Sequence, residues 1–278
     1  MSTFASRARF LVDGVLTCLI GVALTAGAGA QQKASVPDFS SDRIGWISVG
    51  NDFIAPPDGP RPVTFDPAHP YVPNGTGAQP TYRIGDLTNP NLRSWVKERM
   101  KKDNDEILAG KIGYTARSSC AAAGVPGFLT YPVRPVYFIQ APKQVVMVYS
   151  GDAQVRRVYL NVPHSENPQP TWYGESVGHY EGDTLVVDTI GMNDKTFVDN
   201  YRTPHTTKLH VVERWRVVEE GKTLEVTITV ADPDAFNEPW SAVRRYRRVQ
   251  EKMAEEVCAE NNQHLFDYHI PVANKPDF

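Results

Sequence analysis

"LHVVERWRV", Leu209 to Val217, has the period of a β-strand. Leu209, Val211, Glu213, Trp215 and Val217 fall on one face, and His210, Val212, Arg214 and Arg216 on the other. The first face is apolar except for Glu213. A strand that buries this face carries a carboxylate inward, which is costly unless the carboxylate is paired or protonated. The next stretch, "KTLEVTITVA", fixes which side is inside. Leu224, Val226, Ile228 and Val230 alternate with Glu225, Thr227 and Thr229. The short turn "VEEGK" makes the two stretches a hairpin, so Glu213 is expected in the interior beside Trp215.

Working outward, the same β-branched and aromatic character recurs in "PVYFIQA", "QVVMVYS", "QVRRVYLNV", "TWYGESVGHY", "DTLVVDTIG" and "WSAVRRYRRV". Short turn signals separate most of them. Residues 135–249 therefore read as mainly β, an antiparallel up-and-down meander of about eight strands. With no helical crossover in view, a parallel pairing is not expected. Closure into a small lipocalin-like barrel removes the exposed edges. A two-sheet sandwich, or an open sheet curled on a helix, is the alternative.

The flanks differ in composition. Arg7 and Arg9 precede a short apolar run that ends in Ala28-Gly29-Ala30, the pattern of a secretory signal over residues 1–30. No other stretch approaches the ~20 apolar residues of a membrane span. The expected location is periplasmic or secreted. Residues 31–90 are rich in Pro and Gly and read as an extended arm, with room for a homo-oligomer held through it. Residues 91–134 read as a helix and a loop. Thr88 or Asn89 is the expected cap, Pro90 the first helical residue, and Gly110 the stop. Residues 250–278 read as a short helix and tail. Outside the signal stretch two cysteines remain, Cys120 and Cys258, and an oxidising compartment favours their pairing. A formal net charge of -3 gives no ground for a nucleic-acid partner.

Several polar residues share faces with apolar ones. Trp240, Ala242, Arg244, Tyr246 and Arg248 lie together, so an inward Trp240 brings Arg244 inward as a partner for Glu213. Arg156 and Arg157 take opposite faces, and one of them points in. Tyr173, Glu175 and His179 alternate with Trp172 and Tyr180, with the choice of face open. Asp188 sits mid-strand among Val and Ile. The long connection "MNDKTFVDNYRTPHTTK" carries Asp194, Tyr201 and His205, and loops of this length are frequently functional.

The segments "SVGHYEGDTLVVDTIGMNDKTFVD", "PHTTKLHVVERW" and "EVTITVADPDAFNEPW" resemble a group of exported bacterial β-barrel-like proteins of undetermined activity. The group shares a G-x-x-E-G-D-T-L-V-V-D-T core, a P-H-[ST] element and a V-x-E-R-[FW] strand. The resemblance spans roughly residues 120–262 and implies that Trp172, Asp188, Asp194, His205 and Glu213 lie in shared motifs. It implies no reaction.

There is no G-x-S-x-G, no Walker loop, no Rossmann fingerprint and no H-E-x-x-H in the chain. The expectation is a small-molecule enzyme with acid/base chemistry of lyase, isomerase or hydratase type, on an aromatic or sugar-derived substrate, with no cofactor and no metal. His205, Glu213 and Arg244 are its expected catalytic residues. Trp172, Tyr173, Glu175, His179, Asp188, Asp194, Arg156, Arg157, Tyr201, Trp215 and Trp240 are its expected binding residues. The alternatives are a non-catalytic carrier with the same barrel and a structural interaction protein.

Overall fold

The structure is a computed structural model, and it describes residues 36–39, 44–50, 52–70, 83–130, 134–151, 154–258 and 272–273. The signal-like residues 1–30 and the tail beyond Cys258, apart from Val272 and Ala273, lie outside the described residues.

In chain order the elements are β1 (Ile44–Ser48), α1 (Ser94–Leu108), β2 (Ile112–Gly113), β3 (Val136–Ala141), β4 (Gln144–Tyr149), β5 (Gln154–Leu160), β6 (Glu175–Glu181), β7 (Thr184–Ile190), β8 (His210–Val218), β9 (Thr223–Ala231), β10 (Trp240–Gln250) and β11 (Val272–Ala273). Nine of the strands close a barrel in the order β1-β10-β9-β8-β7-β6-β5-β4-β3. β2 and β11 form a separate parallel pair. No helix among the described residues is long and apolar enough to cross a membrane.

The barrel is mainly β, as expected, but it is not a pure antiparallel meander. β5 and β6 pair in parallel, through Val158↔Ser176, Tyr159↔Val177 and Leu160↔Gly178. A parallel pair needs a connection of about a dozen or more residues to carry the chain back along the barrel. Residues 161–174 supply it without a helix. Pro163, Pro168 and Pro170 keep this link extended, and the strand expected from Thr171 begins only at Glu175. Gly174 turns the link into β6 at φ +65, where a Cβ would lie 2.4 Å from the Ile190 carbonyl oxygen.

A second difference lies in the predicted arm. β1 belongs to that region, yet it closes the barrel, pairing with β10 from Ile44↔Gln250 to Ser48↔Tyr246 and touching β3 at Trp46↔Val136. Trp46 is fully buried, and its indole N–H donates to the Phe39 carbonyl at 2.9 Å. Of the residues that follow, Phe53 and Val63 are buried and Ile54 bridges Val243 of β10, while residues 71–82 lie outside the described residues.

The helix begins later than its sequence signals suggest. The Asn89 side chain donates instead to the Arg61 and Pro62 carbonyls and accepts from the Asn91 amide. That ties the turn to the arm, and α1 starts at Ser94. Val96, Met100, Asn104 and Ile107 then face inward at helical spacing. Val96 and Met100 are fully buried, each worth ~1.5–3 kcal/mol over exposure. Gly110 follows the last turn at φ +90. Of the segment after β10 expected to hold a short helix, residues 251–257 carry no regular structure, and residues 259–271 lie outside the described residues.

Inside the barrel, alternation behaves as β8 and β9 announced. Val211, Glu213 and Trp215 point in, as do Leu224, Val226, Ile228 and Val230. Trp215 stacks on Tyr246 and meets Phe138 edge-on, while Trp240 meets Phe53 and Phe236. The stretch read as a loop before β3 holds a tight turn, Gly127–Thr130, whose Phe128 and Leu129 are buried against these interior groups.

Cys120 and Cys258 are joined in a disulfide with Cα atoms 5.6 Å apart. It brackets the barrel strands β3 to β10, with a separation of 138 residues. Cys120→Ser is expected to lower unfolding stability by ~2–4 kcal/mol, read from urea melts. An unchanged midpoint would show that the bridge constrains nothing.

Candidate functional site

Glu213 does point into the barrel, and what meets it is Arg156. Arg156 Nη2 lies 2.5 Å from Glu213 Oε2, and Nη1 lies 3.0 Å from Oε1, a bidentate pair. Both side chains are shut off from solvent, at 2% and 0% exposure. The other donors of the guanidinium are also satisfied. Nε and Nη2 reach Ser176 Oγ at 3.2 and 3.1 Å, and Nη2 reaches Thr189 Oγ1 at 2.8 Å. Ser176 and Thr189 are a cross-strand pair on β6 and β7, with their hydroxyls 2.9 Å apart. The guanidinium carbon lies 5.0 Å from the centroid of the Phe128 ring. Of the two arginines on β5, Arg156 is thus the inward one and Arg157 is exposed.

Arg244 points inward but does not pair with Glu213. Across the sheet Glu213 opposes Ile228, and Ile228 opposes Ala242; Arg244 stands opposite Val226 and Trp215. It therefore lies one inward row away, with β9 between. It binds oxygens at the barrel's end: the carbonyls of Leu129 at 3.1 Å, Asp52 at 2.5 Å and Gly50 at 3.0 Å, and Ser48 Oγ at 3.0 Å. Its role is to bind the arm and the Gly127–Thr130 turn to β10. Burial lowers its pKa.

His205 is buried and fully engaged. Its Nδ1 donates to the Thr206 carbonyl at 2.9 Å, which leaves Nε2 to accept from Thr196 Oγ1 at 2.8 Å. Burial lowers its pKa, which favours this neutral form. It shares no hydrogen-bond partner with Glu213, so the predicted catalytic set His205, Glu213 and Arg244 does not assemble as one hydrogen-bonded group.

The barrel wall itself opens beside Arg156. The β5–β6 ladder ends at Val158↔Ser176, so among the described residues the edge of β5 before Val158 has no strand beside it on that side. A groove of about 400 Å³ occupies the gap. Arg156 and Ser176 lie at its base. Val155, Arg157 and Tyr159 form one side, and Pro168, Gln169, Thr171, Tyr173, Gly174 and Glu175 the other. Tyr173 meets the Phe128 ring edge-on and donates to Gln154 Oε1.

One rim of this groove continues into a chain of charged groups on the outer wall. His164 Nδ1 lies 3.1 Å from Glu175 Oε1, and its Nε2 lies 2.9 Å from Asp188 Oδ1. His210 Nε2 meets the same Asp188 oxygen at 2.9 Å. Ser165 donates to Glu175 through its amide at 2.7 Å and its hydroxyl at 2.5 Å. These two bonds lead the effects that hold the Glu175 carboxyl below its ordinary pKa. For Asp188, burial works against the charge, but the bonds from His210 and His164 win and its pKa is lowered. The bond to Asp188 in turn raises His210.

The other predicted residues scatter. His179 is exposed and pairs with Glu181 at 2.9 Å. Asp194 is exposed, and Trp172 is half-buried on the link between β5 and β6. Tyr201 is buried with the Arg83 guanidinium 6.0 Å from its ring. Trp215 and Trp240 are interior packing. Of the predicted binding residues, Arg156, Arg157, Tyr173 and Glu175 line the groove. The sequence reading missed Ser176, Thr189 and His164. For the first two a signal existed: small hydroxyl residues on the inward faces of adjacent strands are what a buried guanidinium requires. Among the described residues, no group of three or more His, Cys, Asp or Glu side chains is arranged to hold a metal ion.

No family model matches the chain, and no curated protein matches it. Among solved structures there is a match to a crystal structure of a mutant of the fluorescent protein UnaG. It is 15% identical over 43% of this chain and 76% of that one, with a TM-score of 0.25. An overlap this loose carries no argument.

Two outcomes are expected from this geometry. Glu213→Gln leaves the buried Arg156 charge uncompensated and should cost ~3–5 kcal/mol in urea melts. A loss below ~1 kcal/mol would mean the pair is solvated. The second concerns pH. The lowered carboxyls contribute stability above their unfolded pKa values, and it is lost as pH falls through the folded ones. The raised His210 contributes below its unfolded value, and that is lost as pH rises through its folded one. The melting-temperature difference between the wild type and Asp188→Asn should therefore peak between roughly pH 4.5 and 6.5. A difference that is flat across pH would contradict this.

Proposed function

We propose that this barrel binds a small molecule in the groove at the β5–β6 seam. The observation that carries the reading is the break in the wall: an open strand edge beside a groove of about 400 Å³, a size typical of ligand pockets. A lipocalin-like protein keeps its ligand inside the barrel. Here Trp46, Met147, Trp215, Trp240 and the Arg156–Glu213 pair occupy that interior, so the seam is the better site.

The lining selects the ligand class. Tyr159 and Tyr173, with Val155 and Pro168, offer faces for a flat apolar body. Arg156 is neutralised by Glu213 and has no donor to spare. Arg157, exposed on the rim, supplies the positive charge, and the open edge of β5 supplies backbone donors. An aromatic carboxylate satisfies all three. The same groove serves the carrier alternative directly. Acid/base catalysis at His205, Glu213 and Arg244 has no support from their separate placements. The signal-like residues 1–30, together with the Cys120–Cys258 bridge, favour an oxidising compartment outside the cytoplasm.

The test is a thermal-shift and calorimetric screen of aromatic carboxylates, starting with benzoate, against the matching amides and aliphatic acids. Arg157→Gln should weaken carboxylate binding about tenfold, the loss of one charge-assisted hydrogen bond. Tyr159→Ala should weaken the aromatic ligands over the aliphatic ones. Binding unaltered in both variants, or no binding by any aromatic carboxylate, would overturn the reading.

A further inference from the structure

Three stretches of chain meet beside the start of α1: the arm from Ala55 to Thr64, the turn from Asp86 to Asn91, and the turn at Asn237 and Glu238 that leads into β10. Asparagines tie them together, Asn89 and Asn91 among them buried. The Asn89 side chain donates to the Arg61 and Pro62 carbonyls at 3.1 and 3.3 Å. The Asn91 side chain donates to the Glu238 carbonyl and accepts from the Glu238 amide, both at 2.9 Å. The Asn237 amide donates to the Asn91 carbonyl, and its side chain to the Pro90 carbonyl, both at 2.8 Å. The three stretches line a cleft of about 660 Å³, within the range of pockets for drug-sized ligands. Its lining shares no residue with the seam groove.

The bonds that hold these walls use main-chain groups and asparagine amides, and they leave the charged side chains over. Arg61 and Glu238 are both exposed, and among the described residues neither side chain makes a hydrogen bond or an ion pair. They line one cleft without pairing with each other. Arg61 is joined through its carbonyl to Asn89, and Glu238 through its main chain to Asn91, so the two charged residues flank the 89–91 turn. Asp86 adds a second carboxylate, with one oxygen taken by the Thr88 amide at 2.8 Å. Pro60, Pro62 and Pro90 supply rigid apolar faces that lose no side-chain freedom on contact. Among the described residues, no aromatic side chain lines the cleft.

This lining discriminates by charge. A neutral ligand that filled the cleft would strip water from Arg61 and Glu238 and return a counter-charge to neither. A ligand with a single charge would leave the opposite residue uncompensated. A phosphate or a dicarboxylate would meet two carboxylates for one guanidinium. Both residues gain partners only from a molecule with an ammonium at one end and a carboxylate at the other. We propose that this cleft is a second binding site, for a short peptide with free ends: its ammonium meets Glu238, its carboxylate meets Arg61, and its uncharged body lies on the prolines. The volume suits a peptide of a few residues rather than one amino acid.

Calorimetry on the full chain with trialanine, N-acetyl-trialanine and trialanine amide tests this. Trialanine should bind. Each cap removes one end charge and should weaken binding about tenfold, the worth of one charge-assisted hydrogen bond. Arg61→Gln should bind trialanine about tenfold more weakly and no longer distinguish it from the amide, while still rejecting the acetyl form. Glu238→Gln should lose the discrimination against the acetyl form and keep that against the amide. Only main-chain groups of these two residues hold the cleft, so both variants should keep the wild-type urea midpoint; if one does not, the capped peptides on the wild type decide. No binding of trialanine, equal binding of the capped forms, or variants that weaken all three peptides alike would overturn the proposal. Displacement of trialanine by excess maltotriose would put a neutral polyol in the cleft, and displacement by excess benzoate would put the peptide at the seam; either result would overturn it as well.

Discussion

A guanidinium and a carboxylate closed off from water each lose several kcal/mol of hydration, and they survive inside a barrel only when every polar atom finds a partner. Arg156 and Glu213 impose this condition on the rest of the fold. Glu213 comes from β8, Arg156 from β5, and the hydroxyls that complete the shell come from β6 and β7. Four consecutive barrel strands must therefore hold one relative register. A slip of one residue in any of them turns its polar member to the outside and leaves the others unpaired. The Phe128 ring closes one side of the guanidinium, which explains why the Gly127–Thr130 turn is drawn into the interior.

The same arrangement accounts for the opening in the wall. Arg156 needs Ser176 beside it, and Ser176 lies at the end of the short parallel ladder. Beyond that point β5 and the incoming link separate. The groove thus lies against this buried polar cluster, with Arg156 and Ser176 in its lining. A rigid base and a wall held by side-chain bonds suit ligand recognition, because the base loses little freedom on binding.

Much of the barrel is visible in the sequence because alternation is strong where one face is buried. Leu224 to Val230 and Val211 to Trp215 announce an interior, and with it the inward Glu213. The partner of that carboxylate is less legible. Sequence neighbours suggest Arg244 on the next hairpin, but β9 lies between, and the true partner reaches across from a strand more than fifty residues earlier. The parallel seam is hidden for a related reason. Prolines in residues 161–174 look like an ordinary loop, and nothing local says that the chain has returned to the same end of the barrel. β1 is masked by the Pro-rich stretch behind it. On the outer wall, Glu175 and Asp188 were visible as mid-strand charges, but their face was ambiguous until the register was known. Their connector, His164, sits in a link with no periodicity to read.

The most direct measurement of this account is a double-mutant cycle on the buried pair, using Arg156→Met, Glu213→Leu and the double substitution, with unfolding free energies from urea melts. If the pair is the constraint described, each single change strands one charge, and the double change costs less than either alone. The coupling should then be at least ~3 kcal/mol. Costs that simply add would show that Arg156 and Glu213 do not depend on each other, and the central claim would fail.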